Sequence, residues 1–248
     1  MTCYLAAGHG TNVTSMQLLI ANAIGWGPKF NPIADRMKLQ SLQTVRLNGD
    51  NALSAVDAVY PANANAKNAR ELIFAPLNDI TTRVMNAFIS IEPNELARTR
   101  VRSAVNLIQL GRVNRKKSEH VVKDAAIDPP VDDENESHKL AYEIRVTSLN
   151  RLIQLLLVFP NYVPNEEELT VPALTTLYND MKDINQIELD TAIPLKRARD
   201  ARDLVLYEDV IGLVAVGNDT KRYVKSVFGA RSPEYKSIAK LKFRVYNH

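Results

Sequence analysis

The sequence predicts an all-α protein made of two degenerate tandem copies of one helical unit, packed as an up-and-down helical bundle. Two features of the composition favour helices. Only 9 glycines occur among 248 residues, and aromatic residues make up 6% of the chain. All-β proteins need more glycine-containing turns and more aromatic strand residues than this. The third observation is an internal similarity between residues 20–74 and residues 152–206.

Identical residues recur in the two stretches at an offset of 132, which becomes 140 after an insertion in the second copy. The identical pairs are Pro28/Pro160, Pro32/Pro164, Leu42/Leu174, Thr44/Thr176, Ala66/Ala198, Ala69/Ala201, Arg70/Arg202, Leu72/Leu204, Asn78/Asn218, Asp79/Asp219, Val84/Val224, Phe88/Phe228 and Pro93/Pro233. A degenerate duplication explains this pattern. It predicts a first repeat at 12–107, a charged, acidic, Pro-containing linker at 108–137, a second repeat at 138–243 and a tail at 244–248.

Each copy is predicted to begin with a helix that ends at a proline-containing loop. The first of these helices runs from Thr14 to about Ile24, where residues 25–28 supply two glycines and a proline. In the second copy, apolar residues at helical spacing predict a helix over about 138–159, which Pro160 and Pro164 close.

A long helix follows in each copy, because apolar residues recur at steps of three and four over 39–60 and 174–187. The weak point of the first is Gly49, since glycine costs about 1 kcal/mol relative to alanine in a helix interior. Pro61 and Pro194 fall at almost equivalent places. Proline lacks the N–H that a helix interior uses, so we expect a kink or a new helix start at both.

A return helix is predicted around residues 80–88 and around 223–228. The Asn-Asp pair before it in each copy is expected to act as an N-cap and to favour the positive end of the helix dipole. Gly229 is then expected to end the second return helix, and Ser232 to cap a short closing helix. The alternating residues 241–245 predict an extended tail along the bundle surface.

The composition, with 46% hydrophobic and 24% charged residues, is typical of a soluble globular protein. Cys3 is the only cysteine, so the chain cannot form an internal disulfide. No signal peptide is recognised at the N-terminus, and the longest apolar run, 155–159, is too short to cross a membrane. We therefore expect a cytoplasmic protein.

Patterns that would predict a cofactor or a metal are weak. The histidines, at 9, 120, 138 and 248, lack metal-ligand spacing, and the acidic run 132–136 lacks that of a calcium loop. Residues 8–11 resemble only half of a phosphate loop. Arg70 and Arg202 are each followed by an acid that does not face them on a helix, so both are expected to reach a carboxylate or a carbonyl on a neighbouring helix. No cofactor is predicted.

The leading hypothesis for function is a non-enzymatic scaffold or protein-interaction module, with Trp26, Phe30 and Tyr162 as loop anchors for a protein partner of unknown identity. The alternative for these aromatics is that they cap the ends of the bundle. A competing hypothesis is weak binding of nucleic acid or another anion by a basic C-terminal segment. That segment comprises Lys221, Arg222, Lys225, Lys236, Lys240 and Lys242. An enzyme without a recognisable motif ranks third.

Two phrases of the second copy resemble a family of uncharacterised bacterial all-helical proteins. They are V-K-S-V-F-G-A-x-S-P-x-Y-K, within residues 222–236, and P-x-Y-x-P-N-E, within residues 159–166. The resemblance covers residues 138–243 well and the first copy loosely. It implies a helical fold and a bacterial origin, and it transfers no functional site, because the family has no known activity.

Overall fold

The computed structural model describes residues 8–110 and 136–246, and within these ranges all regular structure is helical, without a strand. The predicted all-α class is therefore confirmed. Several predictions concern residues outside these ranges, namely Cys3, His120, His248 and most of the acidic linker.

Eight α-helices form in the described residues: α1 His9–Trp26, α2 Leu39–Phe74, α3 Leu77–Ile91, α4 Glu95–Leu110, α5 Glu136–Leu157, α6 Val171–Tyr207, α7 Leu213–Phe228 and α8 Pro233–Ala239. Short 3-10 turns lie at Gly27–Lys29, Asp35–Met37 and Glu167–Leu169. Helix α4 is the one that the sequence did not predict. Its buried residues Val101, Ala104, Val105 and Ile108 follow helical spacing, but the basic residues around 98–102 interrupt that pattern.

The long helices α2 and α6 contain 36 and 37 residues and continue through Pro61 and Pro194. Of the two outcomes expected at each proline, a kink or a new helix start, the new start therefore does not occur, and the kink stays a prediction. Each proline leaves the carbonyl four residues earlier without its usual helical donor. Both prolines are exposed, as are Asp57 and Asp190, which carry those carbonyls. Water can hydrate the freed groups, and the helices continue.

The described chain divides into two compact units, with boundaries next to the two prolines. The first, here called the α1 unit, comprises residues 8–61 and 194–246. The second, the α5 unit, comprises residues 62–110 and 136–193. Each unit contains parts of both predicted copies, so its boundaries do not coincide with the predicted repeats at 12–107 and 138–243. The duplication itself stays a prediction.

Each unit has its own apolar core. In the α1 unit the core is built around Met16, Leu19, Leu42, Leu206 and Leu213. The core of the α5 unit is larger, and its most deeply buried side chains are Phe88, Leu149, Leu152, Leu156, Leu174 and Met181. Each such side chain contributes about 1.5–3 kcal/mol through its removal from water.

The predicted end of α7 and start of α8 are confirmed. Gly229 ends α7 with a φ of 90°, a conformation that favours glycine. Ser232 caps α8 by accepting a hydrogen bond from the Tyr235 N–H at 3.0 Å. Residues 241–246 are not helical, and Phe243 is buried in the core of the α1 unit.

The N-cap role expected for the two Asn-Asp pairs is wrong, but their expected role at the helix dipole is confirmed for Asp79. Helix α3 begins at Leu77, so Asp79 lies within its first turn, at the positive end of the dipole. Helix α7 begins at Leu213, which places Asp219 inside the helix. There the Asp219 carboxylate accepts hydrogen bonds from Arg36 at 3.0 Å and from Arg222 at 2.8 Å.

Candidate functional site

A buried ion pair lies in the α5 unit. The Arg70 Nη1 donates to Glu188 Oε2 at 3.0 Å, and each side chain is only 2% exposed. Arg70 lies on α2 and Glu188 on α6, so the pair joins the two long helices where both run through this unit. The expectation that Arg70 reaches a carboxylate on a neighbouring helix is therefore confirmed.

Aromatic rings and amides surround this ion pair. The Arg70 guanidinium lies over the Tyr142 ring, 4.2 Å from its centroid, and Tyr142 packs edge-on against Phe74 at 4.8 Å. Asn63 donates to Thr191 Oγ1 at 3.3 Å, and Asn185 donates to Glu143 Oε1 at 2.8 Å. These contacts fix the relative positions of α2, α5 and α6, because a buried charge tolerates little displacement from its partner.

The α1 unit holds a different network around the counterpart arginine. Arg202 is 3% exposed, and its Nε donates at 2.9 Å to Asp203, the next residue in the chain. The expectation that Arg202 does not face its neighbouring acid is therefore wrong. The long guanidinium side chain bends back along its own helix, and Asp203 is 31% exposed, at the edge of the core.

A second polar group of the α1 unit joins α1 to α6 and to the C-terminal segment. The Tyr207 hydroxyl lies 2.5 Å from His9 Nδ1, and burial raises the pKa of Tyr207 above its ordinary value. Asn12 exchanges two hydrogen bonds with the Arg244 backbone, one donated at 2.8 Å and one accepted at 2.9 Å. These bonds hold residues 241–246 against α1.

Both networks stabilise the packing of helices, since their charged and polar groups contact one another. The described residues contain no group of three or more His, Cys, Asp or Glu side chains that could hold a metal ion.

The three aromatic residues predicted as partner anchors contact the core of the protein. Trp26 is the last residue of α1, not a loop residue, and packs 5.5 Å from Phe228, whereas Phe30 packs edge-on against Tyr223 at 5.6 Å. Tyr162 is buried, and its hydroxyl donates to the Leu169 carbonyl at 2.9 Å. Tyr162 is therefore covered in this structure and cannot serve as an exposed anchor. These contacts favour the alternative that the aromatics cap the ends of the bundle.

Aliphatic side chains of the same two loops point to solvent instead. Ile33 is 96% exposed in the loop after α1, and Val158 and Val163 are 70% and 76% exposed in the loop after α5. The sequence analysis predicted the aromatic residues of these loops as anchors and did not predict these aliphatic ones. Their signal in the sequence is their place next to a residue that packs on the core, since Ile33 follows the buried Pro32 and Val163 follows the buried Tyr162.

The two loops differ in charge. The acidic loop, residues 158–169, contains Glu166, Glu167 and Glu168, all exposed. The basic loop, residues 27–38, contains Lys29, Arg36 and Lys38 against one acid, Asp35. Arg36 and Lys38 form ion pairs with Asp219 and Asp35, and Glu168 forms one with Arg83. Among the described residues, the exposed charges of the loops that form no ion pair are Glu166 and Glu167 in the acidic loop and Lys29 in the basic loop.

Both loops are held in place by the helix that ends beside them. In the acidic loop, Phe159 and Tyr162 pack on Phe88 of α3, at 4.9 and 6.2 Å between ring centroids. The contacts of Trp26 with Phe228 and of Phe30 with Tyr223 tie the basic loop to α7 in the same way. The exposed aliphatic residues are thus displayed on fixed backbone.

The predicted anion-binding residues have unequal roles. Lys221 donates to the carbonyl of Ala239, the last residue of α8, and to that of Leu241 after the helix, and its partial burial lowers its pKa. Arg222 pairs with Asp219, and Lys225 lies over the Tyr235 ring at 5.8 Å. Lys236, Lys240 and Lys242 are exposed. The six residues therefore do not form one uniform patch, since Lys221 supports the fold.

No protein-family model, curated protein or solved structure matches this chain. The resemblance of residues 159–166 and 222–236 to a bacterial helical family stays a prediction. No helix in the described residues is both long enough and apolar enough to cross a membrane.

Proposed function

We propose that this protein is an interaction module that presents apolar side chains of its fixed loops to a protein partner. The observation that carries the proposal is the exposure of Val158 and Val163, at 70% and 76%, in a loop whose Tyr162 and Leu169 are buried. Exposed aliphatic groups gain free energy when a partner removes them from water.

The rigidity of the acidic loop supports this role. The Tyr162 hydroxyl bonds to Leu169, and backbone hydrogen bonds join Phe159 to Leu156 and Tyr162 to Phe159. A loop already held in one conformation loses little conformational entropy on binding, so more of its contact energy contributes to affinity. Leu157, 58% exposed at the end of α5, adds apolar area beside Val158.

The test is partner capture from the native host with a double variant, Val158→Ser/Val163→Ser. We expect it to lose bound proteins that the wild type retains, while its circular dichroism and unfolding temperature stay unchanged, because neither side chain packs in the core. A matched control is Leu72→Ser, which removes an exposed leucine from α2 in the same unit. Retention of the same partners by the double variant and the control would contradict the proposal.

A second candidate, weak anion binding, is favoured by the exposed Lys236, Lys240 and Lys242 on α8 and the segment after it. Exposed lysines attract phosphates through a field that falls off beyond about 8 Å at physiological salt. We expect binding of duplex DNA to be lost by about 0.15 M salt. Fluorescence anisotropy in a salt series measures it, with Lys236→Gln/Lys240→Gln/Lys242→Gln as the variant. Tight binding that persists at that salt would rank this function first.

A further inference from the structure

We propose that the partner is a second copy of this chain, with the acidic loop of one molecule docked on the basic loop of the next. This inference rests on the proposed function, since it names the occupant of the exposed loop surface. It is carried by the opposite charges of two loops that have the same construction.

The two loops have matching places in the two predicted copies. Each connects the first helix of its copy to a long helix, α1 to α2 and α5 to α6, and each contains a 3-10 turn just before the long helix. Phe159 of the acidic loop contacts Phe88 of α3, and Trp26, just before the basic loop, contacts Phe228 of α7, which is paired with Phe88 in the predicted copies. Both surfaces are thus formed before binding.

The exposed groups of the loops complement each other. Val158 and Val163 lie in the same loop as the exposed Glu166 and Glu167. Ile33, which is almost fully exposed, lies in the loop that also displays Lys29 and Lys38. An apolar contact flanked by opposite charges favours this pairing, whereas two acidic loops or two basic loops would repel each other.

Since every molecule carries one loop of each kind, the contact joins unlike surfaces. Such a head-to-tail contact closes into a ring or extends into an open chain, depending on the rotation between neighbouring molecules. A contact limited to two loops is small, so association is expected to be weak and to grow with concentration.

The experiment is sedimentation velocity of the full chain over a concentration series up to about 1 mM, a range suited to weak interfaces. The wild type should show a sedimentation coefficient that rises with concentration. Raising the salt from about 0.05 to about 0.5 M should weaken association at least about fivefold, because salt screens the exposed charges.

Two variants each disable one loop. The acidic-loop variant is Val163→Ser/Glu166→Gln/Glu167→Gln, and the basic-loop variant is Lys29→Gln/Ile33→Ser/Lys38→Gln. Each variant alone should stay monomeric. An equal mixture should form a complex that stops at two molecules, because each variant supplies the one loop that the other lacks. Lys182→Gln/Lys196→Gln, which removes two exposed positive charges of α6 outside both loops, should associate like the wild type.

Three results would overturn the inference: a wild type that stays monomeric at every concentration, a single-loop variant that still dimerises, or a mixture that does not associate. The proposed function fails separately, if Val158→Ser/Val163→Ser keeps its host partners. The wild type could stay monomeric and still capture another protein through those two valines. That result would contradict self-association but would support the proposed interaction role.

Discussion

Arg70 and Arg202 occupy the same position in the two predicted copies, and both are buried, but they have different partners. Arg70 pairs across two helices with Glu188, whereas Arg202 pairs with Asp203 beside it on the same helix. The offset of 132 explains the difference, because it aligns Glu188 with Val56. The position that corresponds to Glu188 therefore supplies no carboxylate to Arg202. The two units thus bury the same cation by different means.

This difference shows which kind of pairing fixes helices. An ion pair between helices holds them in one register, because any shift separates two charges that are away from water. A pair between neighbours on one helix neutralises the arginine and places no such constraint on another helix. We therefore expect the α5 unit to depend on its arginine more than the α1 unit does.

The largest expected effect is that of Arg70→Met. It leaves the Glu188 carboxylate buried without its cation, and breaking such a pair costs about 3–5 kcal/mol of unfolding free energy. Arg202→Met should cost about 1–2 kcal/mol, since the partly exposed Asp203 can be hydrated. Urea denaturation measures both.

The double variant Arg70→Met/Glu188→Met is the control for this prediction. It removes both charges together, so most of the lost stability should return. Equal losses for Arg70→Met and Arg202→Met would show that the difference in pairing has no energetic consequence.

The next largest effect concerns Met181 and Gly49, which the same offset aligns. Met181 fills the core of the α5 unit, and Met181→Ala should cost about 2–5 kcal/mol through the cavity it leaves. At Gly49 a Cβ would come within 2.9 Å of Leu213 Cδ1 and 3.1 Å of Val13 Cγ2. Gly49→Ala should therefore cost about 1 kcal/mol, with crowding exceeding the gain in helix propensity.

Thermal unfolding followed by circular dichroism compares these two variants. A rise in unfolding temperature for Gly49→Ala would show that Leu213 and Val13 give way easily. Gly49 would then be only the weak helix position that the sequence indicated, without a role in close packing.

The sequence predicted most helices because each buries one face, and apolar spacing records that face directly. It missed α4, where basic residues interrupt the pattern around Val101. It also divided the chain by its repeats, although α2 and α6 each run through two compact units. Spacing along one helix does not indicate which other helix covers it. Nor does it indicate how a long side chain bends, and the prediction that Arg202 does not face Asp203 was therefore wrong.

The exposed loop surfaces were only half predictable. Prolines and aromatics marked both loops correctly as distinct features. The direction of each side chain depends on tertiary contacts, such as that of Tyr162 with Phe88, which no local pattern contains. The aromatic side chains pack against the core, whereas those of Ile33 and Val163 are exposed to solvent.

A smaller effect is expected from the pH dependence of the buried tyrosines, one in each unit. Burial raises the pKa of Tyr162 to about 12, and it raises that of Tyr207 as well. Unfolding exposes a phenol that ionises near its ordinary pKa of about 10. The stability contributed by the neutral folded form is therefore complete below pH 10 and is lost as the pH rises towards 12.

The variant Tyr162→Phe tests whether stability falls as the pH rises from 10 to 12. The measurement is the free energy of unfolding at several pH values. At neutral pH the variant should be less stable by about 1 kcal/mol, because it lacks the hydrogen bond to Leu169. The difference in unfolding free energy between the variant and the wild type should shrink between pH 10 and 12. In this range the wild type loses stability because the Tyr162 hydroxyl ionises on unfolding, and the variant has no such hydroxyl. A deficit that stays constant over that window would contradict the raised pKa.

The smallest effect is expected at Leu72 and Leu204, an aligned pair at which the two units agree. Both leucines are exposed, at 75% and 64%, so Leu72→Ser and Leu204→Ser should each change the unfolding free energy by no more than about 0.5 kcal/mol. Urea denaturation of the two variants side by side provides the measurement. A loss above about 1 kcal/mol at only one of them would mean that its side chain is covered in solution. The units would then differ at this position as well, as they do at their buried arginines.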